Sequence, residues 1–68
     1  MTIWLNGHAS ALEPGASLAD AIGALTAPLD GRGVAAAVDG EVVPRDQWTG
    51  IALSEGQRVE VVQAVQGG

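Results

Sequence analysis

Arg58-Val59-Glu60-Val61-Val62-Gln63-Ala64-Val65-Gln66-Gly67-Gly68 closes the sequence. Residues Arg58 to Val65 are rich in strand formers and predict a packed strand. Alternation aims Val59 and Val61 at a core, and Glu60, Val62 and Ala64 at the opposite face. Gly67 and Gly68 have no side chains, so the strand is expected to run out into a bare, flexible Gly-Gly tail. That tail is taken as approximately residues 63–68. The rest of the chain reads as a scaffold that presents its carboxylate.

Before this strand, Ser54-Glu55-Gly56-Gln57 is a turn. Further upstream, Arg45-Asp46-Gln47-Trp48 predicts a single helical turn with Trp48 tucked onto the core. Pro44 ends a short strand, Glu41-Val42-Val43. Asp39-Gly40 is a hairpin turn, and Val34 to Val38 is a strand. Being apolar throughout, that strand is expected to be buried on both faces or covered by a partner. Leu29 to Gly33 reads as a loop. Pro28 ends a helix by or before Ala27. That helix starts at Ser17, whose spacing to Asp20 resembles a capping box. Leu18, Ala21, Ile22 and Leu25 share one face of it. Gly23 is a poor helix residue, and tight packing of its turn against a sheet would account for it. Glu13-Pro14-Gly15 is a turn. The first hairpin pairs Met1 to Leu5 with His8 to Glu13 across Asn6-Gly7.

The order is ββαββ and a last strand. It predicts an α+β fold, a mixed sheet of four to five strands packed on one helix. Parallel pairing of the first and last strands would make the C-terminal strand central.

Sixty-eight residues make one domain, residues 1–68. With no Cys, neither a disulfide nor a thiolate metal site is available. The core must be aliphatic, since Trp4 and Trp48 are the sole aromatic residues. No apolar run approaches a bilayer's thickness and no signal peptide is evident, so a soluble cytoplasmic protein without membrane association is expected. The net charge is −5, with no Lys and with Arg32, Arg45 and Arg58 scattered. This argues against nucleic-acid binding; the acidic surface serves solubility or suits a basic protein partner.

The segment Val42-Val43-Pro44-Arg45-Asp46-Gln47-Trp48, the Glu55-Gly56 turn and the terminal Gly67-Gly68 resemble the sulfur carrier proteins of thiamine biosynthesis, the ThiS family. The resemblance spans Ile3 to Gly68. It implies a ubiquitin-like β-grasp fold and a covalent carrier, not an enzyme. A ubiquitin-activating-like adenylyltransferase of the ThiF type would adenylate the Gly68 carboxylate with ATP. Sulfur from a donor such as a cysteine desulfurase would then replace AMP and give a thiocarboxylate. That group would pass its sulfur to a thiazole synthase of the ThiG type. Gly67 would give the tail clearance in a narrow channel, and no cofactor would be bound by the chain itself.

The residues themselves offer no catalytic pair and no metal set. His8 reads as a solvated turn residue. Asp39 and Glu41 flank a turn, Asp46 and Glu55 are isolated, and Arg45 reads as a surface ion-pair former. Pairing of the first and last strands would bring Trp4 near Val62. Trp4, Val62 and Ala64 are therefore the candidate docking patch on the open sheet face. Three other readings share the tail or the fold. They are a molybdopterin synthase small subunit, a ubiquitin-like modifier conjugated to lysines, and an interaction domain with an inert tail.

Overall fold

The structure, a computed structural model, describes residues 1–24 and 33–63. Five strands form one sheet: β1 (Thr2–Leu5), β2 (His8–Ala11), β3 (Val34–Val38), β4 (Glu41–Val43) and β5 (Arg58–Gln63). Helix α1 (Leu18–Gly23) follows the first hairpin, and a 3-10 helix (Arg45–Gly50) follows the second. The sheet order is β2-β1-β5-β3-β4, with β5 central. It runs parallel to β1 and antiparallel to β3. The mixed sheet on one helix is as the element order predicts.

Both hairpins close on two-residue turns whose residues have positive φ. Asn6 and Gly7 stand at 50° and 84°, Asp39 and Gly40 at 51° and 85°. This is the mirror-image turn whose twist matches that of paired strands. Each sits between paired residues, Leu5 with His8 and Val38 with Glu41. The returning strand β2 ends at Ala11, short of the Glu13 expected. Its ladder is nonetheless carried one step further. The Met1 amino group donates to the Leu12 carbonyl at 2.7 Å, and the Leu12 N–H to the Met1 carbonyl at 2.8 Å.

Helix α1 has only six residues, too few to persist alone. Its capping box holds the first turn: the Asp20 N–H donates to Ser17 Oγ, and the Ser17 N–H to Asp20 Oδ2. Leu18, Ala21 and Ile22 are buried, as the periodicity predicts. Leu25, Ala27, Pro28 and the loop Leu29 to Arg32 lie outside the described residues. Gly23 is a correction. It is exposed at the last helical position, and a Cβ there would meet nothing within 4 Å. No tight packing explains it, and its place at the helix end makes it inexpensive.

The core lies between the sheet and this layer. Ile3, Leu18 and Val59 are fully buried, and Leu5, Ile22, Val61, Trp48 and Leu53 pack around them. Leu53 was not legible as core. It arrives there because the segment after the 3-10 helix runs beside residues 16–18. The Leu18 N–H donates to Ile51 O, and the Leu53 N–H to Ala16 O, both at 2.9 Å. Trp48 is buried as expected, and its indole N–H donates to the Val43 carbonyl at 2.9 Å.

Strand β3 corrects one of the two alternatives expected of it: Ala36 is buried while Ala35 is exposed, so the strand is not buried on both faces by its own chain. Alternation is present but hidden in the sequence, because alanine occupies both faces.

Candidate functional site

Everything the sequence points to converges on β5, so its supports come first. Along its two edges the backbone groups alternate. Gln57 and Val59 offer carbonyls to β1, accepting from the N–H groups of Trp4 and Asn6 at 2.9 and 2.8 Å. On the other side β5 pairs with β3 from Val59 opposite Val38 to Gln63 opposite Val34.

Two turn side chains grip this strand, one near each end. At its start the Asp39 carboxylate accepts twice, from the Arg58 N–H at 3.0 Å and from Gln57 Nε2 at 3.2 Å. Near its end the Asn6 carboxamide takes both groups of one residue. Asn6 Oδ1 accepts from the Val61 N–H at 2.8 Å, and Asn6 Nδ2 donates to the Val61 carbonyl at 3.2 Å. The chemistry of each side chain fits its task. Asp39 meets two donors and is acceptor-only when ionised, while Asn6 meets one donor and one acceptor and carries both functions.

The turn before β5 is held in the same way. Glu55 Oε1 accepts from the Thr2 N–H at 2.9 Å, and the Gly56 N–H donates to the Thr2 carbonyl at 2.7 Å. Asp39 stands at the turn, as the sequence suggests, and braces the strand as well, while Glu55 is a bracing side chain and not the isolated acid expected.

The face of the sheet opposite α1 is open. Trp4 is 46% exposed, Val62 63% and Val42 73%. Glu60 and Arg58 are exposed beside them. Trp4 lies on a shallow groove shared with Asn6, Gly7, Arg58, Val59 and Glu60. The expected contact between Trp4 and Val62 is not formed. The register sets Trp4 opposite Arg58, whereas Val62 lies opposite Ala35 on β3. Four residues along a strand separate the two by roughly 13 Å. The reason is the short β1, which turns away at Asn6 before it reaches the level of Val62. On the open face Arg58 stands beside Trp4, and Glu60 follows it along β5 before Val62. Ala64, Val65, Gly67 and Gly68, and with them the end of the predicted strand and its tail, lie outside the described residues.

His8 is exposed after the first turn, and Arg45 is exposed where the 3-10 helix begins. Among the described residues no group of His, Asp or Glu could hold a metal ion. No helix among them is long and apolar enough to cross a membrane.

A central strand parallel to the first, flanked by hairpins and backed by one helix, defines the ubiquitin-like β-grasp class. The fold matches the crystal structure of the thiamine biosynthesis protein ThiS from Geobacter metallireducens with a TM-score of 0.79. That match covers 100% of both chains at 23% sequence identity, a likeness of fold. No curated protein matches the chain in sequence. The sequence model of the ThiS family matches residues 3–68, and the chain belongs to that family.

Proposed function

We propose that this protein is a cytoplasmic sulfur carrier of thiamine biosynthesis, working through a thiocarboxylate at Gly68. The observation that carries this reading is membership of the ThiS family over residues 3–68. The central position of β5, which leads directly into residues 64–68, supports it.

A carboxylate is a poor electrophile, so it must first be activated. Its oxygen attacks the α-phosphorus of ATP on a ThiF-type adenylyltransferase, and pyrophosphate leaves. Sulfur from a donor such as a cysteine desulfurase then attacks the acyl carbon, and AMP leaves. Where the sulfur arrives as a persulfide, a second thiol cleaves the acyl disulfide and is itself oxidised. The thiocarboxylate sulfur is the nucleophile delivered to a ThiG-type thiazole synthase. The chain has no Cys and supplies none of these sulfurs itself. Gly67 gives the tail its clearance. Trp4 and Val62 on the open face, together with Ala64 as the sequence reading has it, serve as the docking surface for the partner enzymes.

The test is the intact mass of the protein after incubation with ATP, the activating enzyme and a sulfur donor. Replacement of one oxygen by sulfur at Gly68, lost on deletion of Gly68, is the expected result. Isopeptide-linked ladders would instead identify a protein modifier. An unchanged mass would overturn the carrier reading.

A further inference from the structure

We propose that Asn6 is a positioning residue for the C-terminal tail, a role that rests on the carrier reading above. Strand β1 ends at Leu5, and the last backbone bond it directs at β5 comes from the Asn6 N–H to Val59 O. The chain then turns away at Gly7. The next residue of β5 whose N–H and C=O point to this side is Val61, by the two-residue period of a strand. No strand residue of β1 remains to meet it. The Asn6 carboxamide does, at 2.8 and 3.2 Å, with the donor and acceptor pair of a peptide group.

One side chain therefore lengthens β1 by one step. It fixes β5 on its β1 edge as far as Val61, two residues before Gln63 and seven before Gly68. The β3 edge is held to Gln63. With both edges held, the end of the described strand, from which the chain continues to Gly68, is set by the fold. Release of Val61 would let the strand fray backwards, lengthening the segment that must be ordered in a partner's site. The turn alone does not require Asn. Gly and Asp also adopt positive φ at this position, but only Asn offers both a donor and an acceptor.

Asn6→Gly keeps the turn and removes the grip. Amide exchange, the thermal midpoint, and kcat and KM for adenylation by a ThiF-type enzyme are compared with the unaltered protein. The Val61 amide should exchange at least about tenfold faster relative to amides of β3, since its opening becomes local. Below the midpoint, kcat for adenylation should fall at least about fivefold with KM within about twofold, because the docking side chains Trp4 and Val62 are kept and the grip on Val61 is not. If Asn6→Gly does not fold, Asn6→Asp carries the test. It keeps the turn and the acceptor for the Val61 N–H, and the expected loss in kcat is about threefold. A folded variant with a freed Val61 amide and normal kcat would refute the positioning role, as would a loss confined to KM. Failure of the carrier reading looks different, since the unaltered protein would then not be adenylated at all.

Discussion

Asn6 and Asp39 occupy the same position of two similar turns, yet they are not interchangeable. Asp39 accepts from two donors, and an Asn there would set its NH2 against one of them. Asp39→Asn is expected to lower stability by about 1 kcal/mol, read from the urea midpoint. Trp48 poses a similar question inside the core. Phe would keep most of its volume but leave the Val43 carbonyl without its indole donor. A loss of about 1–2 kcal/mol for Trp48→Phe is expected in the same measurement. The sequence made the positive φ of Asn6 and Asp39 legible, because that requirement is local. It did not reveal their grips. Asn6 meets Val61 55 residues away, and no local pattern records which backbone group a side chain will face once strands pair.

At the level of elements, α1 depends on its cap and its packing, since six residues give too few helical bonds to sustain a turn alone. Ser17→Ala removes the Oγ acceptor of the Asp20 N–H and should cost about 1 kcal/mol by chemical denaturation. The cap, both hairpins and the 3-10 turn were readable from turn chemistry and alternation, whereas the parallel pairing of β1 with β5 was one of two open choices that the structure decides. What escaped was register. Strand identity does not say how far along its neighbour a strand extends, so Trp4 and Val62 were expected together and stand apart. The alanines of β3 hid its open face for a related reason: a side chain that fits either environment gives no signal of which one it occupies.

For the molecule as a whole, stability is the tightest constraint. A domain of 68 residues is expected to hold about 3–10 kcal/mol. Leu18 is fully buried where helix meets sheet, and Leu18→Ala should cost about 2–5 kcal/mol. That loss is a large share of the reserve, and calorimetry should find the thermal midpoint lowered by at least about 8 °C. Trp4→Ala and Val62→Ala remove exposed surface instead. Each should leave the thermal midpoint nearly unchanged while raising KM for adenylation several-fold, roughly 1 kcal/mol of docking energy per site. Unchanged affinity of the paired variant would rule out this face as the dock.

The parallel alignment of β1 with β5 also has a mechanical consequence. A pull on residues beyond Gln63 against residues before Thr2 drags two neighbouring strands in opposite directions along their shared axis. The bonds from Trp4 to Gln57, from Asn6 to Val59 and between Asn6 and Val61 then lie across the load and share it. They must fail together, whereas an antiparallel hairpin pulled from its open end unzips one bond at a time. A pull of this kind thus meets its resistance at the seam between β1 and β5 before the rest of the domain is loaded.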